Sequence, residues 1–339
     1  MGRLYNLDYL RGMAAFGIMI YHYLSWSSGK FMADSFMGRL GIYGVSIFYV
    51  LSGLTLFYVY YDKFELTQKE VISFFKKRVF RIFPLLWLVT IISIILSKEI
   101  PNLYDLFLNL TGLFGFINWD KYFSVGVWSI GNELVFYTFF PFFILFAKSM
   151  RPMLIILSAI LLSLYIYFAF FKLDPTIDLN IQWRNYVNPL NQVFLFLGGF
   201  LIGVIFKNVK INLAASVSLL IVGIGLFIFI PAYGNTISLV TGINRLLFTF
   251  SCFLICLSFF KLTLRLPMFI HKPLTLLGEA SYSVYLLHPI VYGIIGFSSR
   301  YIHYSEPAKL TTSVIITLIS SYITYEYFEK FFMRLGRKV

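Results

Sequence analysis

Long apolar stretches are the feature that most limits what this chain can fold into. Windows of roughly twenty apolar residues, each long enough to cross a bilayer as a helix, recur about ten times along the sequence. Charged residues make up only 13% of the chain, whereas a soluble domain carries about 25%. The sequence therefore predicts an all-α, polytopic membrane protein in which residues 1–339 form a single transmembrane domain around an internal polar cavity.

The predicted spans follow one another through the whole chain. They are 7–26, 40–61, 82–98, 127–147, 152–171, 190–206, 212–230, 238–260, 280–298 and 308–329. A further apolar piece, 103–117, is shorter and more polar, so we interpret it as re-entrant or interfacial.

The distribution of basic residues predicts the orientation of these spans. An even number of spans places both termini on one side, and the loops of that side carry about twice as many Lys and Arg residues as the others. This bias predicts that both termini are cytoplasmic. It also accounts for the net charge of +13, so we expect no nucleic-acid partner.

The first predicted span holds two residues that membrane helices normally avoid, Arg11 and His22. Eleven positions separate them, so on a helix they lie on nearly the same face, about 16 Å apart along the axis. Ionisable groups at membrane depth usually face a bundle interior or a wet cavity. The alternative is that Arg11 reaches the interface and pairs with Asp8, while His22 lies near the opposite interface.

A basic cluster begins the third predicted span. Arg78 and Arg81 are one helical turn apart, and two guanidinium groups on one face form an anion site suited to phosphate. A cytoplasmic phosphorylated donor, such as a nucleotide or coenzyme A, would fit there. Lys76 and Lys77 are more simply explained as positive-inside anchors.

A carboxylate lies inside the fourth predicted span. Glu133 is about two turns from the outer end of that span, and His22 is about one turn from the outer end of the first. The two side chains can therefore meet at a similar depth, in a pair where the carboxylate orients an imidazole that accepts a hydroxyl proton. The alternative is a structural hydrogen bond between helices.

Weaker candidates come from the ninth span and one outer loop. His288 lies near mid-membrane, where an isolated histidine more often makes a helix-packing hydrogen bond than performs catalysis. Tyr282 and Tyr285 are expected to line the same cavity. Trp183, in the loop 172–189, could contact a sugar, although aromatic residues are common at membrane interfaces.

Together these segments resemble the acyltransferase-3 family of integral membrane acyltransferases. The resemblance covers most of the chain in order and rests on LDYLRG with the later His22, GVSIFYVLSG, RVFRIFPLLW, WSIGNELVFY, SYSVYLLHP and YFEKFFMRLGRK.

The resemblance implies transfer of an acyl group, usually acetyl, from cytoplasmic acetyl-CoA to a carbohydrate hydroxyl. The acceptor would be a lipopolysaccharide O-antigen or another surface polysaccharide, carried on a lipid, at a bacterial inner membrane. No metal is expected.

Within that mechanism the candidate residues take separate roles. His22, Glu133 and Arg11 would be catalytic, whereas Lys77, Arg78 and Arg81 would hold the coenzyme phosphates. Tyr282, Tyr285, His288 and Trp183 would contact the acceptor. Two alternatives remain: a transporter or flippase of a polysaccharide unit, which the absence of internal repeats disfavours, and a non-catalytic membrane scaffold.

Overall fold

A computed structural model describes residues 3–264, 266–299 and 304–338 of the chain. Arg265 and Arg300, which contribute to the charge bias above, lie outside the described residues. The described residues form helices and no strand. The helices are α1 (Tyr5–Ser28), α2 (Phe36–Tyr60), α3 (Gln68–Ser97), α4 (Leu103–Thr111), α5 (Phe114–Ile117), α6 (Val127–Ser149), α7 (Arg151–Tyr167), α8 (Trp183–Tyr186), α9 (Pro189–Phe206), α10 (Leu213–Phe229), α11 (Ile237–Val240), α12 (Gly242–Lys261), α13 (Met268–Glu279), α14 (Ser281–Ser298), α15 (Glu306–Ile323) and α16 (Lys330–Lys338), with π-helical turns at Phe168–Lys172 and Thr324–Glu329.

Each predicted span coincides with a helix, and among the described residues six helices are long and apolar enough to cross a membrane by composition. A seventh span results if α13 and α14, which meet at a bend of 71°, count as one. Helix α10 is apolar but short, and α1 and α15 are more polar. An all-helical membrane protein is therefore confirmed, whereas the count of ten spans and the cytoplasmic termini stay predictions. The piece 103–117 forms α4 and α5, which are both too short to span.

Helix α2 is the centre of the packing. Gly53 and Gly199 bring its backbone against α9, since a side chain on either glycine would collide with the partner helix. On another face of α2, the side chain of Ile18 of α1 packs against Gly44. Helix α1 therefore has protein around it, which explains how a helix with so many polar residues is accommodated.

A helix that the sequence analysis did not predict holds α1 from its other side. Helix α13 approaches α1 so closely that a Cβ atom on Gly12 would lie 2.7 Å from the backbone nitrogen of Gly278. The chain then turns sharply into α14. This contact positions the first turns of α14 beside α1.

Two cations that the charge count places on the outer side, Arg39 before the second predicted span and Arg245 near the outer end of the eighth, are buried instead. Arg39 donates hydrogen bonds to the carbonyl oxygens of Phe227 and Ile230 at the end of α10, at 2.8 and 2.9 Å. Arg245 donates to the carbonyl oxygen of Asn191 at 3.0 Å and lies 4.1 Å from the ring centroid of Tyr165. Arg39 satisfies carbonyl groups at the C-terminal end of α10, where a cation is favoured, and Arg245 donates to a carbonyl group in the first turn of α9. Both are therefore structural cations rather than loop charges.

Candidate functional site

A cavity of about 590 Å³ lies between α1, α2, α3, α6, α14 and α16. We call it the basic cavity because its charged lining residues are five cations and one carboxylate: Arg11, Lys77, Arg78, Arg81, Arg337 and Glu133. Seven of the predicted site residues, from four different helices, therefore share one space: Arg11, Lys77, Arg78, Arg81, Glu133, Tyr282 and Tyr285. Such a surplus of positive charge favours a polyanionic ligand.

Arg11 faces α2 from the wall of this cavity. Its Nη2 donates to Oγ1 of Thr55 at 2.9 Å, and its Nη1 lies 3.3 Å from Oδ1 of Asp8. The pairing with Asp8 that the sequence suggested as an alternative is therefore present. It does not withdraw Arg11 from the cavity, because the guanidinium still contributes to the lining.

Arg78 and Arg81 line the basic cavity without a carboxylate partner among the described ion pairs. The guanidinium of Arg78 lies 5.8 Å from the ring centroid of Tyr137, and its buried Nε has no hydrogen-bond partner among the described residues. Nη1 of Arg81 contacts Sδ of Met333 at 3.8 Å. Buried polar groups are normally hydrogen-bonded, so an unpaired guanidinium facing a cavity indicates a place for an anion.

Glu133 approaches the arginines from α6. Its carboxylate lies beside the hydroxyl groups of Ser52 and Tyr137, whose oxygens are 3.0 Å apart, and beside Arg11 and Arg81. None of its described contacts is with His22. The predicted His22–Glu133 pair is therefore absent, because the face of α6 that carries Glu133 is directed at the arginines of the basic cavity.

The tyrosines of α14 close one end of the cavity. The hydroxyl of Tyr282 donates to the carbonyl oxygen of Ile82 at 2.9 Å, which ties α14 to α3. The hydroxyl of Tyr285 lies 2.9 Å from Oγ of Ser129 and 3.1 Å from the carbonyl oxygen of Gly126. These bonds hold both rings in place as walls.

His22 lies beyond that closed end and does not line the basic cavity. Its ring packs against His288 and Trp26, with centroid separations of 5.2 and 5.1 Å. His288 in turn lies 6.1 Å from the ring of Tyr285. The internal polar cavity predicted from the sequence therefore includes Arg11 but not His22, because the rings of Tyr285 and His288 lie between them.

His288 has one nitrogen with a partner and one without. Its Nδ1 lies 3.1 Å from the carbonyl oxygen of Val284, which identifies this nitrogen as the donor in the neutral ring. The other nitrogen, Nε2, is fully buried and has no partner among the described residues. The ring thus keeps a free acceptor next to His22.

Trp183 lies apart from these groups. Its Nε1 donates to the hydroxyl of Tyr122 at 2.9 Å, and its ring packs edge-on against Trp128 at 5.6 Å. The structure does not bring it into the basic cavity.

Several residues of the cavity were not identified from the sequence. Met333 and Arg337 come from α16, whose sequence was used above only as part of the family resemblance. They are four residues apart and so share a helix face, which is a signal that the sequence does contain. Thr55 and Tyr137 have no such signal, because tyrosine and threonine are common in any helix.

These features define a multi-helix membrane protein with an arginine-lined interior cavity. The sequence profile of the acyltransferase-3 family, described as an acyltransferase domain, matches residues 4–326. The chain belongs to the acyltransferase-3 family.

Individual relatives are more distant. The O-acetyltransferase OatA of Staphylococcus aureus (strain NCTC 8325 / PS 47) is 26% identical over 371 aligned positions, which cover 98% of this chain and 58% of the relative. This chain thus spans little more than half the length of OatA. The exopolysaccharide production protein ExoZ of Rhizobium meliloti (strain 1021) is 25% identical, over 88% of this chain and 91% of its own length. No solved structure matches the chain.

Proposed function

We propose that this protein is a membrane O-acyltransferase that moves an acetyl group from cytoplasmic acetyl-CoA to a hydroxyl of a surface polysaccharide, such as a lipopolysaccharide O-antigen carried on a lipid at the inner membrane. The observation that carries the proposal is the pair Arg78 and Arg81, which line the basic cavity and make no ion pair with any described residue. Two guanidinium forks in a half-enclosed space suit the diphosphate of a coenzyme. The family and the names of OatA and ExoZ agree with acyl transfer to a polysaccharide.

In the proposed reaction the acceptor oxygen attacks the thioester carbonyl carbon. The new ester bond forms, the carbon–sulfur bond breaks, and the proton passes from the hydroxyl to an imidazole and then to the departing thiolate. His22 is the proposed base. Arg11, about 16 Å from His22 along α1 and on the wall of the basic cavity, steers the anionic donor into that cavity. Lys77 supports the coenzyme phosphates alongside the two arginines.

The remaining residues take roles that fit their positions. Glu133 offsets part of the positive charge of the basic cavity and lies beside Ser52 and Tyr137. Tyr285 and His288 stand between the cavity and His22, so they are proposed to contact the thioester or the acceptor as the two substrates meet. Tyr282 forms the adjoining wall, and Trp183 remains a proposed sugar contact at a separate place.

The test is a transfer assay with the protein in lipid vesicles, acetyl-CoA labelled in its acetyl group, and polysaccharide acceptors. We expect label to appear in the glycan as an ester that mild base removes, and free coenzyme A to be released in equal amount. A transporter would instead move glycan across the vesicle without consuming acetyl-CoA. A scaffold would do neither, and both results would contradict the proposal.

A further inference from the structure

The last helix of the chain docks against the helix that carries the arginine pair. Gly336 makes this possible, because a Cβ atom there would lie 2.7 Å from Cβ of Phe80 on α3. One turn before it, Met333 contacts Arg81. Helix α16 is therefore fixed at the edge of the basic cavity, and Arg337 is brought into its lining.

Arg337 also borders a second concave surface. This surface, which we call the tail depression, has a volume of about 600 Å³ and lies between the first turns of α3 and the end of α16. Its charged lining residues are four cations and no carboxylate: Lys69, Lys76, Arg337 and Lys338. None of these four takes part in an ion pair within the part of the chain that the structure describes.

The two concave surfaces thus meet at a single side chain. Arg337 contributes to both, while Arg78 and Arg81 lie on the basic cavity only. A ligand that fills both must carry negative charge at two separate places along its length. Coenzyme A has this distribution, since its diphosphate and the phosphate on its ribose are separated by the sugar.

We propose that the tail depression binds the ribose 3′-phosphate of coenzyme A and that Arg337 contacts this phosphate. The proposal rests on the proposed function, because it assigns the nucleotide end of the donor whose diphosphate lies at Arg78 and Arg81. It also assigns a specificity to the site: the protein distinguishes coenzyme A from its 3′-dephospho form. Lys69 and Lys76 add positive charge on the opposite wall.

Anionic lipid headgroups share the phosphate chemistry of this ligand. Basic residues beside a membrane helix attract such lipids, and a headgroup in the tail depression would use the same side chains. Removal of the ribose phosphate distinguishes the two ligands. If the tail depression binds a lipid headgroup, the protein has the same affinity for acetyl-CoA and for its 3′-dephospho form.

The experiment measures the affinity of the protein for acetyl-CoA and for 3′-dephospho-acetyl-CoA in nanodiscs of neutral phosphatidylcholine. We compare the parent protein with Arg337→Ala and with Arg334→Ala, which removes an exposed arginine of the same helix that lines neither surface. The parent protein should bind acetyl-CoA about tenfold more tightly than the dephospho form, as expected for one charge-assisted hydrogen bond. Arg337→Ala should abolish that preference, whereas Arg334→Ala should keep it.

Each alternative outcome has a definite meaning. If the parent protein binds both ligands equally, or if Arg337→Ala weakens both by the same factor, the tail depression does not bind the ribose phosphate. If the parent protein shows no preference in either lipid but binds phosphatidylglycerol more tightly than Arg337→Ala does, the depression is a lipid site and the proposal is overturned. If the parent protein binds neither ligand, the proposed function itself fails, and this result is distinct from the others.

Discussion

The imidazole of His22 lies against the imidazole of His288, with ring centroids 5.2 Å apart and planes inclined by 29°. His288 is fully buried, and its Nδ1 is engaged by the carbonyl oxygen of Val284. The aromatic neighbour of the proposed base is therefore a ring with a fixed orientation and a free acceptor nitrogen.

Replacement of His22 by alanine should reduce acetyl transfer by a factor of about 10² to 10⁴, which is the usual contribution of a general base. Donor binding should change little, because His22 lies outside the basic cavity. The measurement is kcat for ester formation together with the Kd of acetyl-CoA. His271→Ala is the matched control, since this histidine contacts Tyr9 near the opposite end of α1. Undiminished kcat in the His22 variant would remove it from the mechanism.

Arg78→Ala should weaken acetyl-CoA binding by about tenfold or more, because charge-assisted hydrogen bonds contribute roughly 1.5–3 kcal/mol. Arg78→Lys should restore only part of the affinity, since an ammonium group cannot bind phosphate through two parallel hydrogen bonds. Titration of labelled acetyl-CoA measures both effects. Arg151→Ala, which removes an exposed cation at the start of α7, is the control and should bind normally. Equal affinity in all four proteins would exclude a phosphate site at Arg78.

Glu133→Gln should raise the affinity for acetyl-CoA and lower kcat. The amide keeps the size of the side chain and a hydrogen-bond acceptor for Ser52 and Tyr137, but it removes the negative charge beside Arg11 and Arg81. The basic cavity becomes more positive, so the affinity for acetyl-CoA should rise severalfold, and the gain should shrink at high salt. We expect kcat to fall at the same time, because arginines that hold the donor more tightly also hold the product coenzyme. Weaker donor binding in this variant would show that Glu133 does not offset the cationic charge.

The residue pattern predicted the helices and the arginine pair, yet it predicted the wrong partner for His22. Spacing along one helix gives the face and depth of a side chain, which is why Arg11, Arg78 and Glu133 were recognised as interior groups. It does not give the rotation of one helix relative to another. Glu133 therefore faces the arginines, and His288, considered mainly a packing residue, lies beside His22.

The role of α16 was missed for a related reason. A short basic helix after the last predicted span fits a positive-inside anchor as well as it fits a cavity wall. The contact between Gly336 and Phe80 makes α16 a cavity wall, and these residues are more than 250 positions apart in the sequence. Arg39 and Arg245 show the same limit, because their carbonyl partners belong to helix ends that are distant in sequence.

Arg39→Ala should destabilise the fold without altering the donor site. The side chain is 4% exposed and donates to four backbone carbonyl groups, of Ala33, Phe227, Ile228 and Ile230. Loss of the guanidinium leaves these buried carbonyl oxygens without a donor. Each one that water cannot reach should lower the free energy of unfolding by about 1–3 kcal/mol.

The measurement is the thermal unfolding midpoint of the detergent-solubilised protein, with acetyl-CoA affinity of the folded fraction determined in parallel. Arg39→Lys should recover little stability, because one ammonium cannot reach carbonyl groups that a guanidinium spans with three nitrogens. Lys30→Ala, which removes an exposed cation between α1 and α2, controls for the loss of charge and should unfold at the parent temperature. If Arg39→Ala also unfolds at that temperature, the carbonyl groups at the end of α10 must find other donors, and Arg39 would not be the residue that holds α10 to α2.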